Sequence, residues 1–462
     1  METLQRTANR GSISTGYDID NSLKFEADNS EKLSRSQTTG TNRKKFTVSF
    51  WVKRSELGAL QVLASAESSG NDLSFLNFET DNVLRFRDTA SASDQCILET
   101  NRVFRDTSAW YHIVLRVDTT DGTADDRNRI YVNGVQETSF SARTNFDLND
   151  DTFWGYNGGN LTWGNALGEA NYYSGYTAEA VYVDGLSLAP TSFGEFDEDT
   201  GIWKPINVSG LTFGNNGYYL DFEDSSNLGN DVSGGTDFTQ TNITSGDQAT
   251  DTPTLNFCTW NPLWVYASQP VISEGATKVR IGDSINEGAK ATIGLTNGKW
   301  YWEAKPVGTV DAQQIGIQTD GDSNIASDAN STANNYGMWI NPIGYYYSYA
   351  DSQTESADQG WDLTASDWLG IALDMDSGTQ TINYYKNGSL IQSRDLITEM
   401  QGRTVFPFLM NYENRSWDIN FGGYTINAIS SAASDENGYG TFEYAPPSGY
   451  YALCTKNLAE FG

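Results

Sequence analysis

Phe46, Val48, Phe50 and Val52 alternate with Thr47, Ser49, Trp51 and Lys53. Successive side chains of an extended backbone point to opposite faces, so a period of two predicts a strand with one face in a core. The pattern recurs along the chain. Trp110–Val117 reads as another strand, and Arg129–Val132 runs into Asn133-Gly134, residues that tolerate the positive φ of a tight hairpin turn. Farther on, Lys299–Glu303, Gln314–Gln318 and Trp368–Asp374 repeat the theme. Asp376-Ser377-Gly378 then turns the chain back into Thr379–Tyr385, which ends at Asn387-Gly388. No stretch of roughly ten residues or more combines 3.6-residue apolar periodicity with capping residues, so very little helix is predicted.

Short strands separated by Gly and Asn turns predict an all-β fold of sandwiches. Aromatic residues make up 13% of the chain, so Trp, Tyr and Phe supply much of the core. A chain of 462 residues exceeds what one core organises at the usual ~100–200 residues per domain. The predicted architecture is therefore two tandem jelly-roll-type β-sandwiches with an irregular connector. Residues 1–20, polar and glycine-punctuated, form an N-terminal docking arm, and residues 21–189 the first sandwich. Residues 190–269 form a connector with short strands, in which Tyr218–Phe222 is strand-like while Asn227–Thr252 is rich in Gly, Ser, Thr, Asn and Asp. Residues 270–425 form the second sandwich, and 426–462 a C-terminal extension packing on the domains.

Sixty acidic against 29 basic residues leave a formal charge of −31, which repels nucleic-acid backbones and anionic membrane surfaces alike. No nucleic-acid partner is expected. Met1–Asp20 lacks the apolar core of a signal peptide, and no run of ~18 apolar residues occurs, so neither secretion nor membrane insertion is expected. The expected setting is a reducing cytoplasm, left by a route such as lysis. Cys96, Cys258 and Cys454 have none of the spacings of a zinc site or redox dithiol and are expected to be free and buried.

The runs Phe46–Val52, Ala109–Val114 and Ile130–Gly134, in that order, resemble laminin-G-like and concanavalin-A-like jelly rolls over roughly residues 21–188. Gly298–Glu303, Leu369–Asp374 and Tyr384–Gly388 resemble a SPRY domain over roughly residues 270–425. The whole chain is similar to tailed-phage virion proteins of this layout, through Gly16–Phe25, Asn42–Lys45 leading into Phe50–Arg54, Thr252–Thr254, Asn261–Leu263 and Tyr444–Gly449. This resemblance implies a non-enzymatic virion component, a tail fibre or a capsid-attached fibre or decoration protein, assembled in the host cytoplasm. Its implied partners are other virion proteins of capsid or tail and a host-surface glycan. Oligomerisation is open, since no coiled-coil heptads are present. Two rival readings stand beside it: a concanavalin-A-like polysaccharide-degrading enzyme, and a purely structural capsid cement protein.

The enzyme reading needs two carboxylates flanking a glycosidic bond. Glu195-Phe196-Asp197-Glu198-Asp199 comes nearest to the strand-borne acid motif of such hydrolases, but it lacks the last Glu and sits in a glycine-flanked loop. His112 is the single histidine, opposite in phase to Ile113 and Leu115, and reads as structural. No catalytic residue is assigned, and no cofactor beyond calcium. Asp118, Asp121, Asp125 and Asp126 offer the oxygen ligands that Ca²⁺ takes, although a hydrated acidic turn accounts for the same residues. The densest aromatic cluster, Trp339, Tyr345, Tyr346, Tyr347, Tyr349 and Trp361, is the candidate ligand-binding surface. Consecutive tyrosines must point to both faces of a strand, and exposed rings stack on sugars or anchor protein interfaces. The competing reading is an aromatic core. A weaker cluster is Trp154, Tyr156, Trp163, Tyr172, Tyr173 and Tyr176.

Overall fold

A computed structural model describes residues 16–166, 171–266, 270–280, 287–311, 313–320, 336–350, 352–411 and 415–462. The protein is all-β and divides into two bodies, Met1–Thr254 and Leu255–Gly462. Among the described residues, helix is confined to Thr455–Phe461 and three single turns at Ala124–Asp126, Pro190–Ser192 and Ser245–Asp247. Of the expected docking arm, all but its last five residues lies outside the described part.

In the first body the strand Lys45–Arg54 is central to one sheet, between Tyr111–Asp118 and Gly175–Asp184. Its inward residues Phe46, Val48, Phe50 and Val52 meet Ile113 and Leu115 from the neighbouring strand. Across the core lie Leu76, Phe78, Leu84, Phe86 and Leu98 of a second sheet, whose central strands are Gln61–Ser69, Asp72–Phe78, Val83–Ala90 and Ser93–Val103. The alternation read from the sequence thus selects the core face. The opposite face is buried too: Val114, Tyr131, Val181 and Val183 are covered by Phe193, Val208 and Tyr219.

That covering corrects the expected connector. Residues up to Thr254 belong to the first body, and they add the strands Tyr218–Leu220 and Gln248–Ala249 to one sheet and Thr239–Thr241 to the other. Buried charges hold the segment in place. Lys53 Nζ lies 2.6 Å from Asp251, whose other oxygen accepts from Trp110 Nε1 at 3.0 Å, and Arg35 donates to Asp231 at 2.9 Å. These partners are 196 and 198 residues apart for the two ion pairs, and local patterning carries no trace of them.

The second body repeats the scheme. Lys299–Val307 lies between Leu369–Asp374 and Ser416–Asn420, with Trp300, Trp302 and Ala304 inward. Tyr301 faces outward and packs under Phe442, Ala452 and Cys454 of the chain that follows the last sandwich strand. There Glu303, fully buried, accepts the backbone N–H groups of Glu443 and Tyr444 at 2.8 Å each. The facing sheet contains Val405–Asn411, Gln314–Thr319, Gly337–Ile340 and Tyr346–Ala350.

Both Asn-Gly turns form with the same device. Asn133 and Gly134 have φ of 48° and 77°, and Asn387 and Gly388 have 49° and 77°. Each Asn side chain accepts a backbone N–H at the start of the strand that pairs with the hairpin's first strand, His112 N at 2.7 Å and Trp368 N at 2.9 Å. A Cβ on Gly134 would run into the Trp203 ring, and one on Gly388 would press on Tyr444, so glycine is required by both conformation and space.

Candidate functional site

The six aromatic residues expected to offer a binding surface are divided and largely buried. Tyr346 packs toward the main core of the second body, where Trp361 lies, while Trp339, Tyr347 and Tyr349 join Phe408 and Met410 on the other face of their sheet. Trp339 and Tyr347 stack at 6.1 Å, Asn341 Nδ2 donates to the Tyr347 hydroxyl, and Trp361 Nε1 donates to the Asn341 carbonyl. Tyr345 and Tyr346 keep partial exposure. Both faces of this strand are packed, so the rings close the body and do not form an open stacking platform. In the weaker cluster Trp154, Trp163, Tyr173 and Tyr176 are fully buried.

The four aspartates of the proposed calcium loop are each engaged by protein donors. Asp118 pairs with Lys45 at 2.9 Å and accepts from Thr120, and Asp121 accepts from Thr123 N. Asp125 accepts from Asn145 and lies near Arg143, while Asp126 pairs with Arg129. Among the described residues no group of three or more His, Cys, Asp or Glu side chains converges as a metal site. Asp118, Asp125 and Asp126 each lie within reach of a basic side chain, and Asp121 is used in its own turn.

His112 is buried and held at both nitrogens. Trp203 Nε1–H donates to Nδ1 at 2.9 Å, so the ring proton resides on Nε2, which donates to Ser49 Oγ at 2.9 Å. A base for Ser49 would need a bare Nε2. Burial pushes the imidazole pKa down to about 3, so the ring stays neutral. The Glu195–Asp199 run falls on a separate two-stranded hairpin, Gly194–Phe196 with Trp203–Pro205, where Lys204 lies 3.4 Å from Glu195 and 3.3 Å from Asp197.

A concave site does exist, on the outer face of the second sheet of the first body. Inward Leu84, Phe86, Leu76 and Phe78 leave Leu73, Phe75, Arg85, Arg87 and Thr89 pointing out, with Phe75 directly opposite Arg87 in register. Together with Leu60, Val62, Gly70, Asn71, Ala92, Ala166 and Asn171 they line a cavity of about 280 Å³. Its floor is apolar, with Val62, Leu73 and Ala166 buried and Phe75 packed against them. Its donors are arginines oriented by carboxylates. Arg85 pairs with Glu79 at 2.5 Å and lies 3.9 Å from Glu99, while Arg87 donates through Nε to Asp94 at 2.6 Å. Arg85 Nε is buried without a hydrogen-bond partner among the described residues, a state that costs about 1–3 kcal/mol.

The rim is strained as well. The two-residue turn between Val83–Ala90 and Ser93–Val103 is Ser91-Ala92, and both have positive φ, 51° and 61°. Non-glycine residues in that region cost of order 1–3 kcal/mol each and persist only where surrounding contacts impose them. Here Asp72 Oδ1 accepts from Ser91 N at 2.6 Å and the Asn71 carbonyl accepts from Ala92 N at 3.0 Å, which docks this turn against the Gly70–Asn71 turn. The sequence analysis missed this pocket. Its one local signal is the run Val83-Leu84-Arg85-Phe86-Arg87, whose alternation puts two arginines on the face opposite the core.

No curated protein matches the chain. Among solved structures, the SPRY domain of human HERC1 is 14% identical over 35% of this chain and 96% of that one, at a TM-score of 0.27. Domains LG4-5 of the mouse laminin alpha1 chain are 9% identical over 94% of this chain and 96% of theirs, at 0.30. A Bacteroides ovatus protein described provisionally as carbohydrate binding is 15% identical over 49% of this chain and 59% of its own, at 0.34. Residues 21–185 match the laminin G family model described as the Concanavalin A-like lectin/glucanases superfamily. The first body therefore carries a laminin G-like, concanavalin A-like domain.

Proposed function

We propose that this chain is a non-catalytic, glycan-binding component of a phage particle, a tail fibre or capsid-attached decoration protein, and that its first body carries the binding site. The observation that carries the binding reading is the outer-face pocket, which sets a half-buried aromatic ring beside preoriented guanidinium and amide donors. Sugars present an apolar ring face and a fringe of hydroxyls, and this lining complements both. Among the described residues no carboxyl group lines the cavity, and a two-carboxylate hydrolysis needs an acid and a second carboxylate at the bond it breaks. The particle assignment rests on the resemblance carried by Gly16–Phe25, Asn42–Lys45 leading into Phe50–Arg54, Thr252–Thr254, Asn261–Leu263 and Tyr444–Gly449.

The test is adsorption of the purified chain to host cells and to their extracted surface polysaccharide, with reducing-end release followed in the same tubes. Saturable adsorption without release is expected. Turnover of the polysaccharide would replace this reading with the enzymatic one, and failure to adsorb would favour a cement role. Labelling of intact particles with an antibody to the chain tests the virion assignment.

A further inference from the structure

The geometry points to a neutral saccharide as the ligand of the outer-face pocket, one or two pyranose rings in size, with acidic sugars selected against. This rests on the reading of the pocket as a glycan site and adds the ligand class. Two arginines on the wall would ordinarily suggest an anionic ligand. Here each guanidinium already has its counter-charge: Arg85 has Glu79 and Glu99, and Arg87 has Asp94. Asp72, bound to the rim turn, adds a fourth carboxylate to two cations, so the immediate surroundings are net negative, as is the chain. An incoming carboxylate would share these guanidinium groups with Asp94 or Glu79 and meet their field at short range, where like charges repel.

A hydroxyl group needs no such exchange. Arg87 uses only Nε toward Asp94, and its terminal NH₂ groups have no partner among the described residues. These are donors held in place by carboxylates on their far side, an arrangement that presents N–H groups to neutral acceptors without a net positive field. Phe75, opposite Arg87, supplies a ring for the apolar face of a sugar. The cavity of about 280 Å³ lies just under the ~300–1,000 Å³ usual for drug-sized ligands, which limits the occupant to a short terminal unit.

Calorimetric titration of the full chain with neutral hexose di- to tetrasaccharides and with their uronic-acid counterparts tests the assignment. Neutral sugars should bind, and the uronates at least tenfold more weakly at low salt, with the gap narrowing as salt rises. Gly70→Trp serves as the plug, because Gly70 lines the cavity and a Cβ there meets nothing within 4 Å, so the substitution starts without a backbone clash. It should reduce neutral-sugar affinity at least tenfold with an unchanged melting temperature. Uronates binding as tightly as neutral sugars, and blocked by Gly70→Trp, would overturn the neutral assignment and leave the glycan site standing. Binding of neither class, or binding that Gly70→Trp leaves intact, would overturn both.

Discussion

The two bodies close one face in the same way and treat the other differently. In each, the chain that follows the last sandwich strand folds back over the outside of one sheet and is anchored there by a buried carboxyl, Asp251 with Lys53 and Trp110 in the first body and Glu303 with two backbone N–H groups in the second. An aromatic ring from the covering segment then seals the Asn-Gly hairpin, Trp203 over Gly134 and Tyr444 over Gly388. The uncovered sheets diverge. The second body fills that face with Trp339, Tyr347, Tyr349, Phe408 and Met410, whereas the first leaves a cavity between Phe75 and its arginines. Aromatic density in this protein therefore marks closure, and the accessible concavity lies where fewer rings meet charge.

The largest effect that can break this parallel is expected at the anchors. Asp251→Ala strands a Lys53 ammonium that is almost wholly buried, and removing one partner of a buried pair typically costs about 3–5 kcal/mol. Calorimetry should show the first body melting earlier with the second unchanged, and a common shift of both transitions would deny that the bodies are independent. Next comes the contrast between the uncovered faces. Trp339→Ala should destabilise the second body by about 3–5 kcal/mol in urea unfolding. Phe75→Ala should cost the first body less than half as much, because its ring is only partly buried. Equal losses would mean that the Phe75 face is as closed as the Trp339 face.

A smaller effect sharpens the shared hairpin device. Asn133→Ala removes one side-chain hydrogen bond and Asn387→Ala two, and each places alanine at positive φ, for about 1–2 kcal/mol apiece. A loss confined to one of them would show that the resemblance of the turns is only geometric.

The smallest effect concerns pH. Glu179 sits at positive φ in a bulge of Gly175–Asp184, where it accepts from the Tyr219 hydroxyl at 2.8 and 2.9 Å, and burial pushes its pKa up to about 8. Glu303 is raised by burial to about 7. An unfolded Glu titrates near ~4.3, so the native state holds the extra proton between the two values. The stabilising contribution is complete below the unfolded value and is lost as pH rises through the folded one, near 7 for the second body and near 8 for the first. Melting temperatures measured between pH 5 and 9 should fall accordingly, and Glu179→Gln should remove the part of the first body's response near pH 8, leaving that of Glu31 and Asp88, which burial raises to about 7. An unaltered slope in that variant would assign the dependence to another group.

Much of the framework was legible in residue order. The alternation of Phe46–Val52 selected the core face, both Asn-Gly pairs form the predicted turns, and all three cysteines are free and buried. Those features depend on neighbours within a few residues. The aromatic cluster of the second body was misread because alternation reports two faces but not what lies against each one. The acidic loop kept two readings, calcium ligands or a hydrated turn, because carboxylate spacing does not reveal which basic side chains fold against it.

Periodicity and turn chemistry by themselves determined an all-β chain of sandwiches, since a pleated backbone has only two faces and Asn-Gly tolerates positive φ at low cost. Only the tertiary structure decided which face stayed open. The pairing of Phe75 with Arg87, the docking of Ser91-Ala92 against Gly70–Asn71 and the return of Asp251 to Lys53 are contacts between segments that local preference leaves independent. Their positions follow from how the whole core packs, and so does the pocket they leave.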